Sequence, residues 1–500
     1  MIKILLGNTS CKLIGSLPPS ILKEMDSEMS YKFPGYQYMK SNRYGGKHGW
    51  DGRFRLFSKS KTFPIGLLSR AKDIFDKNNI SYTIVDKRPD ISYGNKVKIS
   101  NKKFIPRDYQ KRIVKKCFDS SSGIVRVATG GGKTAMIAML TAKYNVKTII
   151  YVVGIELLYQ MKSTIESLYD IEVGMVGGGH CDTSKKITIM TIWSAASAFD
   201  KKIKMIDNDL TPDNKKINKN LKKANIRRLV SESELIIIDE CQYAASETVQ
   251  FLHKSSKAAK HRFLFSGTPW RDSGDDILIE AVGGPKIYDM SATRLIKKDY
   301  LVAPEIHFVS VPIMPRVGKT YHEVYTNYIV ENEDRNKLIV DAAKRLIKAG
   351  KRVLILVVRV KHGQILMDML DDEINCASLD GSNSASDRLG KIEQMKNGEL
   401  DLLIASKIFD QGVDIPQLDA LILAGSGKSS GRALQRIGRV IRTHPGKKNA
   451  IVVDFYDNAK YLKDHSQKRI DIYKSEPGFK IKLPNLKNVK FSKPKQTNWT

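Results

Sequence analysis

The stretch Ala128–Thr134, which reads ATGGGKT, contains residue types that could hold a phosphate group. Its three consecutive glycines let backbone N–H groups converge on an anion, Lys133 adds a mobile cation, and the Thr134 hydroxyl can ligate a magnesium ion. A β-rich run precedes the stretch and an apolar helical pattern follows it. The strict pattern GxxxxGK[ST] fails, because position 127 is Val127 rather than glycine. Taken alone, the stretch indicates either a nucleotide site or a tight strand-to-helix turn.

A pair of carboxylates ends an apolar run further along the chain, where Leu235–Gln242 reads LIIIDECQ. A nucleotide hydrolase presents one acid to magnesium and a second to the attacking water, so Asp239 would hold the metal and Glu240 would orient or deprotonate the water. An acidic strand end that feeds a loop is the alternative, but it does not explain why two acids stand together. The two stretches therefore predict nucleotide hydrolysis, with Lys133, Asp239 and Glu240 as catalytic residues.

The elements that must position these residues read as two α/β units. From about residue 105 to residue 455, short β-branched runs alternate with helical patterns, which is typical of parallel sheets with crossover helices. Between two series of strands lies Glu331–Gly350, a predicted helix with its acids early, its lysines late and a glycine at its end. The strand candidates are residues 124–127, 148–153, 187–192, 235–238 and 262–265 in the first series, and 353–358, 402–405, 420–423 and 451–454 in the second.

The composition is that of a soluble globular protein with an unusual charge. The chain carries 84 Lys and Arg against 53 Asp and Glu, a net charge of +31, which points to a polyanion such as nucleic acid. The five cysteines are scattered and form no CxxC pair, so neither a disulfide framework nor a zinc site is indicated. No signal peptide and no membrane span are expected. We therefore predict a cytoplasmic protein, in the host cytoplasm if a phage encodes it.

Five motifs, taken in order, resemble those of the superfamily 2 helicases. The resemblance rests on ATGGGKT, IIIDECQ, FSGTPW (Phe265–Trp270), IASKIFDQGVDIP (Ile404–Pro416) and QRIGRVIR (Gln435–Arg442). In this family the phosphate loop is usually written [AP]TGxGKT, so Val127 is no obstacle. The resemblance implies two RecA-like parallel-sheet lobes, with ATP and Mg²⁺ as cofactors.

The resemblance also assigns residues to the nucleotide. Gln110 in RDYQ resembles the residue that reads adenine, so ATP is expected in preference to GTP. Gln242 stands where many relatives have histidine, and it should contact the γ-phosphate side or link to Ser266 and Thr268. The metal is expected on Thr134 and Asp239. The implied nucleotide-binding residues are Gln110, Thr129, Gly130, Gly131, Gly132, Lys133, Thr134, Gln242, Gly412, Asp414 and Gln435.

Two arginines of the last motif are predicted to complete the catalytic set. Arg439 and Arg442 lie three residues apart, which predicts that they share one helical face. Each could form a bidentate contact with a transferring phosphoryl group. If they act from the second lobe on a nucleotide held by the first, hydrolysis depends on closure. A salt-bridged helix surface is the alternative role.

The predicted contacts with nucleic acid are of two kinds. By resemblance, Gln160, Thr191, Ser194 and Thr268 belong to segments that touch the nucleic-acid backbone or relay closure to it, whereas Trp193 fits core packing as well as contact. Residues 31–61 interleave aromatic and basic side chains, which suits either stacking on bases or the core of a small basic sheet. Within them, we predict phosphate contacts from Arg43, Lys47, Arg53 and Arg55.

The domain organisation follows from these patterns. Residues 1–100 are predicted to form a small α+β domain, basic and aromatic-rich, that binds nucleic acid. Residues 101–285 would be the first RecA-like lobe, which binds ATP and carries a basic insertion at 201–228, and residues 286–340 a linker and the start of the second lobe. Residues 341–456 would be the second RecA-like lobe with the two arginines, and residues 457–500 a short helical and basic C-terminal extension. The insertion could be a basic finger near a branch point or an exposed loop.

The basic N-terminal domain, the two-lobe core and the basic tail together are similar to the UvsW helicase family of T-even phages. This resemblance implies an ATP-dependent DNA helicase acting on stalled forks, Holliday junctions, D-loops and R-loops in recombination, repair and replication. Its partners would be branched or forked duplex DNA, RNA–DNA hybrid and replication or recombination proteins, and a monomer is expected. A double-stranded DNA translocase, a restriction-modification motor subunit, an RNA helicase and a non-enzymatic binding scaffold are the alternatives.

Overall fold

A computed structural model describes residues 1–33, 51–200, 219–271, 274–312, 318–370, 374–406, 415–425, 427 and 430–484. The chain divides into two compact units, one formed by residues 1–127 and 132–289 and the other by residues 128–131 and 290–500. Each unit is built around parallel β-sheet, as the sequence predicts. The predicted insertion is described only from residue 219 onward, and most of the tail lies outside the described residues.

The first unit begins with a small α+β domain. Its elements are β1 (Ile2–Leu6), β2 (Ser10–Ile14), α1 (Pro19–Glu28), β3 (Ser30–Lys32), β4 (Arg53–Arg55), β5 (Thr62–Pro64), α2 (Leu68–Lys77) and β6 (Tyr82–Asp86). One sheet has the order β5-β2-β1-β6, and β3 pairs with β4 in a second, two-stranded sheet. Alternate residues of β1 are buried, so one face of this sheet packs on α1 and α2. Tyr31 and Phe54 stack on each other across the small sheet at 5.3 Å.

The rest of the first unit is a larger sheet of mainly parallel strands. Its strands are β7 (Ser122–Val127), β8 (Thr148–Val152), β9 (Val173–Gly177), β10 (His180–Cys181), β11 (Ile187–Thr191), β12 (Leu235–Asp239), β13 (His261–Ser266) and β14 (Lys286–Met290). Their order is β10-β9-β11-β8-β12-β13-β7-β14. Every residue of β8, β11 and β12 is buried, because helices cover both faces of a parallel sheet. Those helices are α3 (Asp108–Ser120), α4 (Lys133–Tyr144), α5 (Ile155–Leu168), α6 (Ile192–Ala198), α7 (Lys219–Glu232), α8 (Glu247–Ser255) and α9 (Ile277–Gly283).

The N-terminal domain docks on the first lobe through α9. Ile277 and Ala281 of α9 belong to the apolar core of the small domain. The guanidinium of Arg70 donates three hydrogen bonds of 2.7–2.9 Å to the Glu280 carboxylate. Gly66 lies so close to α9 that a Cβ atom there would stand 2.0 Å from the carbonyl oxygen of Glu280. The domain and the lobe are therefore packed as one body.

The second unit contains the other parallel sheet. Its elements are α10 (Ala292–Ile296), β15 (Pro304–Ser310), α11 (Tyr321–Tyr325), α12 (Glu333–Lys348), β16 (Val353–Leu356), α13 (Val360–Asp368), β17 (Cys376–Leu379), α14 (Ala385–Asn397), β18 (Leu402–Ala405), β19 (Ala420–Ile422), α15 (Ser430–Val440), β20 (Ala450–Tyr456), α16 (Leu462–Lys474) and β21 (Lys480–Lys482). The strand order is β17-β18-β16-β19-β20-β15-β21. A π-helical turn, Thr326–Val330, follows α11 directly.

The described part of the C-terminal extension is built into this second sheet. Arg469 of α16 forms an ion pair with Asp454 of β20 at 2.9 Å, and both side chains are almost fully buried. Tyr473 donates a hydrogen bond to the same carboxylate at 2.9 Å. Next to it, Arg335 pairs with Asp457 at 2.9 Å without any exposure to solvent.

The element boundaries differ from the predicted domain boundaries. β14 is the edge strand of the first sheet, so that sheet extends beyond residue 285 to Met290. β15 lies in the segment 286–340, predicted as a linker and the start of the second lobe, and it pairs with β20 in the second sheet. Among the described residues, no helix combines the length and the apolar character needed to cross a membrane.

Candidate functional site

The predicted catalytic residues of the first lobe meet at one edge of its sheet. β12, β13 and β7 are adjacent and parallel, with Asp239 opposite Phe265 and Ser266 opposite Arg126. The phosphate loop, the two acids and the FSGTPW motif therefore all follow the carboxyl ends of neighbouring strands. This is where open α/β sheets bind ligands.

The phosphate loop has the shape of a cradle at the start of α4. The N–H of Gly131 donates a hydrogen bond to the carbonyl of Ala128 at 2.9 Å, which closes a turn. Gly132 is the residue before the helix and has a φ of 76°, a conformation that costs glycine little. A Cβ atom at this position would lie 2.5 Å from Nε2 of Gln110. Because Lys133 begins α4, the loop places a helix N-terminus beside a cation, which fits a phosphate group.

Gln110 is held against this loop by the start of α3. The side-chain Oε1 of Gln110 accepts a hydrogen bond from the backbone N–H of Arg107 at 2.9 Å. The backbone N–H of Gln110 donates to the Arg107 carbonyl, also at 2.9 Å. The side chain is only 4% exposed. The amide of Gln110 is thus fixed next to Gly132, and its preference for adenine stays a prediction.

Asp239 and Glu240 form the acidic part of the site. Asp239 is 4% exposed, and its Oδ1 accepts a hydrogen bond from the N–H of Glu240 at 3.1 Å. Burial raises the pKa of the Asp239 carboxyl to about 6, the neighbouring Glu240 charge adds to the rise, and the Lys133 ammonium opposes it. Glu240 has a φ of 61°, in the left-handed region. Such strained residues cluster at functional sites.

A chain of hydrogen bonds connects Glu240 to the FSGTPW motif. Gln242 Nε2 donates to Glu240 Oε2 at 3.1 Å, and the Ser266 hydroxyl lies 2.8 Å from Gln242 Oε1 and 3.2 Å from Glu240 Oε2. The N–H of Thr268 donates to the Ser266 oxygen at 3.0 Å. The single hydroxyl proton of Ser266 can be donated to only one of these two oxygens at a time. The predicted link from Gln242 to Ser266 and Thr268 is thus present.

Two arginines for which the sequence predicts no role contact Gln242 and the FSGTPW motif. Arg271 donates to the carbonyl of Gln242 at 2.9 Å. Arg126, the residue before Val127 in β7, lies 3.2 Å from Asp289 and 4.7 Å from the centre of the Trp270 ring. Arg271 follows the FSGTPW motif directly, which is the only signal for it, whereas a lone arginine in the strand run GIVRV gives none.

In the second unit, the structure corrects one prediction about the arginines. α15 ends at Val440, and Arg442 forms an isolated β-bridge with Leu301, so Arg439 and Arg442 do not share a helical face. The bridge holds the chain in an extended conformation just past the helix, which a spacing of three residues does not reveal. Burial lowers the pKa of Arg442 to about 10, and Arg439 is 8% exposed. Gln435 lies on α15, and Gly412 and Asp414 lie outside the described residues.

The side chains predicted to touch nucleic acid in the first lobe fall into two groups. Gln160 is exposed on α5. In contrast, Thr191, Ser194 and Thr268 are 5%, 9% and 3% exposed. The Thr191 hydroxyl accepts the backbone N–H of Ser194 at 3.1 Å and donates to its Oγ at 2.7 Å, so Thr191 caps α6 and Ser194, in the first turn, is its partner. Trp193 packs against the apolar core of the lobe.

The basic residues predicted in the N-terminal domain are only partly described. Arg55 pairs with Asp26 at 2.9 Å and also with Asp51, and Arg53 donates to the hydroxyl of Ser30 at 2.9 Å. Arg43 and Lys47 lie outside the described residues. The structure therefore places Arg53 and Arg55 within intramolecular contacts, and a role in phosphate binding stays a prediction.

Comparison with known families identifies both lobes. Residues 103–271 match the family described as type III restriction enzyme, res subunit, and residues 336–444 match the helicase conserved C-terminal domain. The chain is a superfamily 2 helicase. As a member of this class it is an ATP-dependent enzyme, and its two sheets are RecA-like lobes.

This helicase has several curated relatives. It is 24% identical to the ATP-dependent DNA helicase uvsW of Enterobacteria phage T4, and the alignment covers 93% of this chain and 96% of that protein. The probable helicase D10 of Escherichia phage T5 is 25% identical over 84% of this chain and 86% of its own length. Putative helicase 22 of a Sulfolobus islandicus filamentous virus is 26% identical over 76% and 69%.

Solved structures agree on the fold of the helicase core. A single-substitution variant of S. cerevisiae Dbp5, bound to RNA and ADP BeF3, superimposes with a TM-score of 0.52 at 14% identity, covering 76% of this chain and 90% of that chain. The restriction-modification enzyme LlaBIII bound to DNA gives the same TM-score, 0.52, over 76% of this chain and 31% of its own.

Proposed function

We propose that this helicase hydrolyses ATP at the first-lobe site and uses the energy to move along branched DNA. Lys133 and the loop N–H groups would hold the phosphates, and Thr134 and Asp239 would hold Mg²⁺. These two protein ligands suit a magnesium ion, which keeps its remaining positions for phosphate oxygens and water. Bound there, Mg²⁺ would neutralise charge on the phosphoryl oxygens. Glu240 would accept a proton from the attacking water.

The Ser266 hydroxyl supplies a physical route from hydrolysis to movement. Its two acceptors, Glu240 and Gln242, would face the nucleotide, and its oxygen accepts the N–H of Thr268. A change in charge or hydrogen bonding at Glu240 would alter which acceptor takes the Ser266 proton. We propose that Arg439 and Arg442 of the second lobe complete the site on closure, so that each ATP turnover opens and closes the two lobes.

The observation that carries the branched-DNA proposal is the docking of the N-terminal domain on the first lobe. A domain that shares a core and a three-bond ion pair with a motor lobe moves with that lobe. If the N-terminal domain binds a duplex arm while the two lobes move along one strand, each step would separate that strand from the arm. The alignment with T4 uvsW spans 93% of this chain and so includes most of this domain. The net charge of +31 favours extended contact with nucleic acid.

The test is ATP hydrolysis with Mg²⁺ in the presence of different nucleic acids at equal nucleotide concentration. The set comprises single-stranded DNA, plain duplex, a four-way junction, an RNA–DNA hybrid and RNA, with Lys133→Ala as the blank. Loss of the Lys133 contact should cost roughly 3–4 kcal/mol of transition-state stabilisation, which leaves hydrolysis near background. Unwinding of a labelled fork should require the same residue.

Each outcome selects a different function. Strongest stimulation by junctions and hybrids supports a branch-migrating helicase. Stimulation by plain duplex without strand separation indicates a double-stranded DNA translocase, and stimulation by RNA alone indicates an RNA helicase. Absence of hydrolysis with every polymer would leave a binding scaffold.

A further inference from the structure

The second unit carries a cluster of exposed tyrosines and lysines, with the half-buried Arg359 beside them, that lies outside the five quoted helicase motifs. We propose that this cluster, formed by Tyr321, Tyr461, Lys319, Lys460 and Arg359, is a stacking site for one strand of nucleic acid; it rests on the proposed motor function. We call it the tyrosine patch. Its members come from three segments that are far apart in sequence and follow the carboxyl ends of β15, β16 and β20.

The two tyrosine rings of the patch are in contact and half-exposed. Tyr321 is 44% exposed and Tyr461 is 39% exposed. Their rings meet edge to face, with centroids 6.1 Å apart. The ring of Tyr321 also packs on those of Tyr325 and His465, with centroids 5.9 and 5.7 Å apart, and these contacts fix its orientation. Rigid aromatic rings that keep one face in solvent are the platforms on which unpaired bases stack.

The backbone at Tyr461 is strained in a way that keeps its ring in this position. Tyr461 has a φ of 66° and a ψ of −39°, a conformation that bulky residues rarely adopt. Its hydroxyl donates a hydrogen bond to the carbonyl of Lys319 at 3.4 Å. Strain of this kind persists where the surroundings over-determine it and is typical of ligand clamps. The adjoining π-helical turn, Thr326–Val330, is also a feature frequent at functional sites.

The charges around the rings favour a polyanion. The ammonium of Lys460 lies 4.9 Å from the centre of the Tyr461 ring, and the guanidinium of Arg359 lies 4.9 Å from that of Tyr325. Lys319 and Lys460 are exposed. The one acid on α11, Glu323, accepts the N–H groups of Lys319 and Thr320, so its charge is directed at backbone donors. Cations beside exposed aromatic rings match the alternation of phosphates and bases along a single strand.

The experiment measures binding of a fluorescein-labelled oligothymidine strand, and of a duplex of the same length, by fluorescence anisotropy. Tyr321→Ala should raise the Kd for the strand roughly 5- to 100-fold, the range expected for one stacked base. Tyr321→Phe keeps the ring and should bind as the unaltered protein does. The duplex, whose base faces are covered, should lose much less affinity. Lys460→Ala should reduce the slope of log Kd against log salt by about 0.7, the value for one phosphate contact on a single strand.

A second variant separates binding from folding. Tyr461→Gly removes a ring and also relieves the left-handed backbone strain, so it should weaken strand binding while the melting temperature stays the same or rises. A residue with a purely structural role would lose stability instead. Leu389→Ala, at a side chain that is 68% exposed on α14, is the matched surface control.

Three results would overturn the proposal. They are unchanged strand affinity in both Tyr321→Ala and Tyr461→Gly, an equal loss for strand and duplex, or unchanged nucleic-acid binding together with altered self-association. Because ATPase stimulation of the unaltered protein is measured in parallel, a protein that no polymer stimulates would refute the motor function itself. If nucleic acid stimulates the unaltered protein but Tyr321→Ala and Tyr461→Gly bind the strand with unchanged affinity, only the tyrosine patch is refuted.

Discussion

Substitution of Gly66 by alanine tests whether the N-terminal domain and the first lobe are packed as one body. Gly66 lies in the short 3-10 turn Ile65–Leu67 that faces α9, and its φ is not in the left-handed region, so alanine causes no backbone strain. The added Cβ would lie 2.0 Å from the carbonyl oxygen of Glu280 and 2.7 Å from that of Ala281. Both neighbours are backbone atoms of a helix and cannot swing away.

The size of the effect follows from this geometry. A relaxed C···O contact is about 3.3 Å, so the two backbones must separate by about 1.3 Å. Overpacking against a rigid neighbour costs about 1–3 kcal/mol. The same displacement would stretch the hydrogen bonds from Arg70 to Glu280, which are 2.7–2.9 Å long, beyond bonding distance. Because Arg70 is half-exposed, that loss adds only about 1 kcal/mol.

Scanning calorimetry and limited proteolysis should both report the change. In Gly66→Ala, the N-terminal domain should melt at a lower temperature than the first lobe and be cleaved more readily at the loop between them. ATP hydrolysis without nucleic acid should be unaffected, whereas unwinding of a forked duplex should fall. Gly390→Ala is the matched control, because a Cβ atom at Gly390 on α14 has no neighbour within 4 Å.

Two results would contradict this reasoning. If Gly66→Ala melts together with the first lobe at the original temperature, the close approach of the turn to α9 is not present in solution. If the domain loosens but forked duplex is unwound at the original rate, the docked domain does not act on the DNA arm.

Three further predictions concern buried polar groups. The folded pKa of Asp239, about 6, lies above the unfolded value of 3.8, so stability is lost as the pH rises from about 4 to about 6 and the buried carboxylate ionises. In urea melts near pH 8, Asp239→Asn should therefore raise the free energy of unfolding by on the order of 1–3 kcal/mol, a gain that disappears below about pH 4, and it should abolish hydrolysis. Ser266→Ala should retain DNA-stimulated hydrolysis while the base pairs unwound per ATP fall roughly 5- to 100-fold, because two hydrogen bonds worth about 1–3 kcal/mol are lost. Arg469→Met should destabilise the second unit by about 3–5 kcal/mol in urea melts by leaving the Asp454 charge buried, and adding Asp454→Asn should restore most of it.

The interior strands could be predicted from the sequence because burial on both faces demands unbroken apolar runs. The run TIIYV became β8 and LIIID became β12, with ends shifted by at most one residue. The edge strands β10, β14, β17 and β21 were not predicted, nor were β9 and β15 beside two of them, since these strands lack that signature. β9 reads VGMVG with two glycines, and β15 alternates polar and apolar residues, so only its pairing with β20 makes it a strand of the second sheet.

The residues of the site likewise fall into two groups: those that a short local motif predicts, and those whose contacts join distant parts of the sequence. Lys133, Asp239 and Glu240 could be predicted because each stands in a short motif beside its own strand. The contacts of Arg126 and the ion pair of Arg70 with Glu280 join residues far apart in sequence, and no local pattern reports them. The shared helical face proposed for Arg439 and Arg442 was wrong for the same reason, since the distant residue Leu301 decides the conformation after α15.

The position of β15 in the second sheet constrains how the chain can fold while it is being synthesised. β15 lies between β20 and β21, with Pro304 opposite Ala450 and Ile306 opposite Ile481. All strands of the first sheet have left the ribosome once Met290 has emerged. In contrast, β15 stays unpaired on both edges until more than a hundred further residues, up to β20, have been synthesised. During that interval its exposed backbone is open to pairing with other chains. A nascent chain stalled before residue 450 should therefore carry a folded first unit and an aggregation-prone second one.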